Sequence, residues 1–181
     1  MGRYYYGNHF EGKFGFGVQP SDDPLIFGMI DEGECVDDEG DPCGSNDYWL
    51  ADTGESRRFI KNVLDELYTK LGVPQELRKY SLNSQEEISD YSFTLTPYVF
   101  EPHYRKDDSQ EDRARLDYYS LDEETAKEIF HLGDEYNNLD WCMIPKGNDR
   151  ELVLCENRIY LGLCIMLDLT LDGECSINAE M

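Results

Sequence analysis

From Phe14 to Ser56 the chain carries twelve carboxylates and no Lys or Arg. They are Asp22, Asp23, Asp31, Glu32, Glu34, Asp37, Asp38, Glu39, Asp41, Asp47, Asp52 and Glu55. The centre of the stretch, DEGECVDDEGDPCGSND, is rich in turn formers and offers little that is apolar. Carboxylates this crowded repel one another, so the segment must stay solvated, bind cations or meet a cationic partner. Any core has to be built from the rest of the chain.

That remainder is sufficient. Of 181 residues, 40% are apolar and 13% aromatic, which argues against global disorder despite a net charge of −23. The length suits one α+β domain, residues 1–181, with an acidic, loop-rich insertion at about 20–52. The negative field disfavours nucleic acid and anionic membranes and favours basic protein surfaces. The start, MGRYYYGNHF, has no apolar signal region, and the longest apolar run, Ile159–Leu167, is too short to span a membrane. A soluble, cytoplasmic protein is expected. The six cysteines are therefore expected reduced. They form no CxxC pair and are not spaced with His9, His103 or His131 as zinc ligands, so neither a metal nor a cofactor is expected.

The patterning predicts a small mixed sheet and two main amphipathic helices, about 53–71 and 121–136. The first has Asp52 or Thr53 as cap, Glu55 in capping-box register with Asp52, and an apolar stripe from Phe59 to Leu71. The second starts from a Ser120/Glu123 capping box and buries Ala126, Ile129, Phe130 and Leu132, with His131 as a packed core histidine. Two short strands, Arg3–Phe10 and Lys13–Gln19, are expected around a turn at Glu11-Gly12. Ser81–Asp90 is polar, and Tyr91, Phe93 and Leu95 alternate as a strand that Pro97 forces to an edge or to its end. Tyr98–Phe100 reads as extended. Leu139–Ile144 and Leu152–Glu156 suggest a hairpin, and Arg158–Leu171 reads as a central strand bent at Gly162 or a buried helix. The tail from Asp172 is expected to fray.

GRYYYG, followed by EGKFGFGVQPSDDP and FG, resembles the opening of small uncharacterised proteins encoded by phages and large DNA viruses. The resemblance covers residues 2–28 and implies a viral or mobile-element origin. It brings no active site with it.

Chemistry has few footholds. There is no nucleotide loop after Gly15 and Gly17, no HExxH and no GxSxG. Asp37, Glu39 and Asp41 alternate as in a calcium loop, but Pro42 stands where an EF-hand needs Gly and Tyr48 where it needs Glu. Catalysis is not expected. An unrecognised enzyme using Cys142 or His103 is the third reading, after an acidic virion or host-interaction protein with a weak divalent-cation site at 31–41. The leading expectation is a phage-type inhibitor, anti-CRISPR or anti-restriction. It would bind the basic nucleic-acid-binding surface of a host defence nuclease, type II CRISPR favoured. Its contact residues would be Asp31, Glu32, Glu34, Asp37, Asp38, Glu39, Asp41 and Asp47. Tyr48 and Trp49, with Tyr118 and Tyr119, would be aromatic anchors beside Asp122, Glu123 and Glu124.

Overall fold

The computed structural model describes residues 4–13, 20–104, 120–132, 141–148 and 150–180. Its axis is a helix, Arg150–Asp172, in which every residue from Leu161 to Leu169 is buried. The segment is dominated by Leu, Met, Cys and Ile, with few β-branched residues, so its helical state follows its propensity. Burial on all sides, instead of along one stripe, requires partners all round.

Those partners are two helices and a sheet. Helix α1, Gly54–Leu71, packs along the axial helix through Ile60, Leu64, Leu67 and Tyr68. Its start is a capping box: Thr53 Oγ1 accepts from the Ser56 amide and Ser56 Oγ accepts from the Thr53 amide, both at 2.9 Å. Asp52 instead accepts from Arg57 at 2.6 and 3.0 Å. Helix α2, Gln85–Val99, is capped by Ser84 and buries Ile88, Tyr91, Leu95 and Val99. The expected strand at Tyr91–Leu95 is thus a helix. The burial period is three to four residues, and Phe93, which completed the apparent alternation, is exposed. Val99 closes this helix, and extended backbone begins at Phe100.

The sheet beneath has five strands: β1 (Tyr4–Tyr6), β2 (Glu11–Lys13), β3 (Ile30–Val36), β4 (Pro42–Ala51) and β8 (Glu174–Glu180), in the order β2-β1-β8-β4-β3. A second sheet, β5 (Phe100–Tyr104), β7 (Trp141–Pro145) and β6 (Ser120–Leu121), lies beside helix α3, Glu123–Phe130. The axial helix is α4. The fold is α+β, and the described pairings are antiparallel in both sheets, not mixed.

Several expectations are corrected. The tail does not fray: Gly173, at φ 78°, turns α4 into β8, the middle strand of the five. Leu152–Glu156 is not a hairpin arm but the first turns of α4. Helix α3 is shorter than expected. Asp122 caps it, and it ends at an exposed His131 in the left-handed region (φ 52°), so His131 is a helix terminus and not a core histidine. The N-terminal turn spans Gly7–Phe10, with Tyr6 opposite Glu11. The expected strand residues 14–19 lie outside the described residues, as does the end of the predicted second helix beyond Leu132.

Two buried carboxylates tie the outer elements to α4. Asp168 accepts the amides of Asn8 (2.9 Å) and His9 (3.0 Å), so the first hairpin's turn is seated on the helix. Burial pushes the Asp168 carboxyl up, and the two amides pull it back. Asp23, in the 3-10 turn Asp23–Phe27, is gripped by Arg158 through contacts of 2.7 to 3.1 Å.

Gly162 is where α4 meets α1 and the 3-10 turn. A Cβ there would sit 2.6 Å from Phe27 Cε1 and 2.8 Å from Leu64 Cδ2. Gly162→Ala should therefore lose about 1–3 kcal/mol to overpacking, outweighing the ~1 kcal/mol gained in helix propensity. Urea unfolding checks the sign. At the surface, His9 Nε2 lies 2.9 Å from Asp172. That hydrogen bond raises the His9 pKa and lowers that of Asp172. The histidine's contribution is complete below its ordinary value of 6.5 and is lost as pH rises through the raised folded value. The carboxylate's is complete above 3.8 and is lost as pH falls through the lowered one. His9→Gln should therefore cost most stability between pH 3.8 and 6.5 and progressively less above, read from melting temperatures across pH.

Candidate partner-binding surface

The acidic stretch is a finger, not a loop. After the 3-10 turn, β3 and β4 pair as an antiparallel hairpin, with Ile30 opposite Trp49, Glu34 opposite Asn46 and Val36 opposite Pro42. The register shifts twice, between Asp31 and Gly33 and between Glu34 and Val36. Strand β8 accompanies β4 from Ser45 to Ala51, so Val36–Gly44 extends past the paired part of the sheet as two strands and a turn. Ladder hydrogen bonds to β8 hold its base. Carboxylates fit on β3 because it is an edge strand, where side chains on both faces reach water.

The fingertip is ordered by one of its own acids. The Asp37 carboxylate accepts the amides of Glu39 and Asp41, each at 2.9 Å, and the Asp37 amide donates to Asp41 O at 2.9 Å. Those amides hold the Asp37 carboxyl below the usual range. Gly40, at φ 87°, closes the turn. Asp31 plays a similar part lower down, accepting the Gly33 amide at 2.8 Å. Asp38, Glu39 and Asp41 are left exposed. Among the described residues, no ion pair reaches any carboxylate from Asp31 to Asp47.

The finger joins an open sheet face. Tyr5, Tyr48, Ile177 and Ala179 alternate into the core, so Tyr6, Asp47, Trp49, Ser176, Asn178 and Glu180 point the other way. Ile30 extends this face and is 57% exposed. Tyr4 and Tyr6 stack with centroids 5.9 Å apart. Asn178 Nδ2 donates to Asp47 Oδ1 at 2.7 Å and Ser45 Oγ at 2.9 Å, while Trp49 Nε1 donates to Glu174 Oε2 at 3.1 Å. An open cleft of about 370 Å³ runs between Tyr6, Asn8, Glu32, Asp47 and Asn178.

The sequence-predicted contact residues divide into four groups. Asp31, Glu32, Glu34, Asp37, Asp38, Glu39 and Asp41 are together on the finger, with Asp47 and Trp49 at its base. Tyr48 is corrected: at 1% exposure it is a core residue, because one step along a strand reverses the face. Asp122, Glu123 and Glu124 open helix α3, which packs on α2, β5 and β7. There Asp122 caps the Thr125 amide at 2.9 Å and Glu123 pairs with Lys127 at 2.9 Å, so both are occupied locally. Tyr118 and Tyr119 lie outside the described residues. Sequence reasoning missed Tyr4, Tyr6, Glu174, Asn178 and Glu180 on the open face. The period-two pattern of ECSINAE, with Cys175, Ile177 and Ala179 alternating, was the signal that could have found the last three.

The alternative chemistries fare unevenly. Among the described residues, no three His, Cys, Asp or Glu side chains converge as metal ligands, and the Asp37 carboxylate is engaged by amides. The β5–β7 register sets His103 opposite Cys142. No described helix is long and apolar enough to cross a membrane.

Compared with protein-family profiles, curated proteins and solved structures, the chain matches none. The surface has to be interpreted from its own chemistry.

Tyr48 and Trp49, adjacent in sequence, should respond oppositely to truncation. Tyr48→Ala should cost about 3–5 kcal/mol, the range for a buried aromatic, whereas Trp49→Ala should cost less than half of that. Denaturant titration of the two variants checks the assignment of faces.

Proposed function

We propose that this chain is an acidic recognition protein. Its finger and the adjoining open face occupy a basic, nucleic-acid-binding surface of another protein and exclude the nucleic acid. A phage-type inhibitor of a host defence nuclease is the form of this reading to test first, with CRISPR enzymes of type II ahead of restriction enzymes. The observation that carries the reading is charge displayed on an ordered support. Eight carboxylates, from Asp31 to Asp47, lie on a hairpin whose longer arm, β4, has ten residues. At ~3.3 Å per strand residue that is about one charge per 4 Å of finger, comparable with one phosphate per ~3.4 Å along a DNA strand. A segment needed only for solubility would not have to hold a fixed turn. Aromatic anchors adjoin the acids, in the form of Trp49, Tyr6 and Tyr4, in keeping with the composition of interface hot spots.

The enzyme alternative is supported by one feature, the His103–Cys142 register. An enzyme would lose activity on Cys142→Ala while retaining its partner.

The test is a competition assay at several salt concentrations. The protein is titrated into nuclease–DNA complexes, and DNA retention is measured. The parent should displace DNA steeply less well as salt rises. A variant with Asp38→Asn, Glu39→Gln and Asp41→Asn, which spares Asp37 and the turn, should be weaker by about tenfold or more, since three rim charges at ~0.5 kcal/mol each suffice for that. Unchanged displacement by this variant would remove the fingertip from the mechanism. Failure to affect any nuclease even at low salt would leave the acids as guards of an exposed edge.

A further inference from the structure

The finger carries two thiols as well as its acids. Cys35 and Cys43 flank the Val36–Pro42 pair on β3 and β4, where the register shifts between Glu34 and Val36, and the Cys43 side chain is hydrogen-bonded to that of Cys35. Cross-strand neighbours whose thiols meet are within the reach of a disulfide. Cys43 is exposed and Cys35 half-buried, and each thiol lies 4.0 Å from a nearby carbonyl oxygen, that of Asp41 or Val36. Cys155, Cys164 and Cys175 are buried in the core. Burial pushes the Cys164 and Cys175 thiols far up, which makes them inert.

We propose that Cys35 and Cys43 form a modification site, a dithiol that closes into a cross-strand disulfide with small neutral or cationic disulfides as oxidant. The exposed Cys43 thiol gives its proton to solvent, and its sulfur attacks one sulfur of the oxidant, releasing one small thiol. Cys35, deprotonated in turn, attacks Cys43 Sγ of the mixed disulfide and releases the second small thiol. The protein dithiol is oxidised, the small disulfide is reduced to two thiols, and no other reactant is needed.

The selectivity for oxidant charge follows from the setting. The link encloses the Asp37–Asp41 turn, and every charged side chain between the two cysteines is acidic. The Cys43 thiol is held up by its hydrogen bond with Cys35, by slight desolvation, and by the charges of Cys35, Asp37 and Asp47, so closure accelerates as pH rises. An anionic disulfide is repelled by this field and a cationic one concentrated by it. The site does not depend on what the finger binds.

The experiment treats the reduced full-length chain with cystamine or with glutathione disulfide at equal concentration, followed by intact mass and non-reducing peptide mapping. Cystamine should remove two hydrogens, leave no retained adduct and link Cys35 to Cys43. It should act at least about tenfold faster than glutathione disulfide at low salt, with the difference shrinking as salt rises. Cys35→Ser should trap one cysteamine on Cys43, with an unchanged circular dichroism spectrum. Free thiols persisting at both positions, separate adducts on both, or links to other cysteines or between chains would overturn the proposal. Equal rates with the two oxidants would overturn its charge selectivity.

Discussion

The rest of the structure depends on the need to bury α4 on every side. Its run from Leu161 to Leu169 leaves no face that water can take. A single sheet can cover one side only, so α1 and α2 must cover the others. This demand makes the C-terminal strand central. Gly173 reverses the chain at once, and β8 lies under the helix from which it came, with Cys175, Ile177 and Ala179 facing it. Gly162 marks the closest approach in this packing. Helices ordinarily avoid glycine, and here the bulk of Phe27 and Leu64 explains its presence.

Charge is the opposing constraint. A net −23 works against any compact state, and the fold separates its carboxylates by environment. Among the described residues, the buried carboxylates Asp23 and Asp168 receive donors: a guanidinium in one case, two backbone amides and the weaker thiol of Cys175 in the other. Leaving either unpaired would cost several kcal/mol, so these contacts fix where the 3-10 turn and the first hairpin sit. The acids of the finger are instead carried out past the sheet, where their mutual repulsion is screened by water and salt.

Legibility in the sequence tracks how local the determining forces are. Helix α1 could be read almost residue for residue, because its cap and apolar stripe lie within one continuous segment. Helix α2 could not. Its apolar residues satisfy period two as well as period 3.6 near Tyr91, and only packing against α4 separates the two. Strand β8 was hidden because its acidic ends resemble a tail, and its place depends on neighbours more than a hundred residues away in β1 and β4. The candidate surface was half legible. Composition located the acids, but not the fact that they share a hairpin, nor that Tyr48 and Trp49 face opposite ways.

An edge strand covered in carboxylates has a simple use, which is to stop copies of the sheet from pairing edge to edge. That role accounts for Asp31, Glu32 and Glu34 on β3. It does not account for the tip beyond Val36, where little remains of the sheet to protect. There the chain spends one carboxylate, Asp37, on two amide hydrogen bonds that hold three others apart from it and in the open. A turn meant only to reverse direction could use Asn-Gly and carry no charge. The arrangement at Asp37–Asp41 carries more charge than closing the turn requires, and restrains it in place, which suits a surface that meets opposite charge.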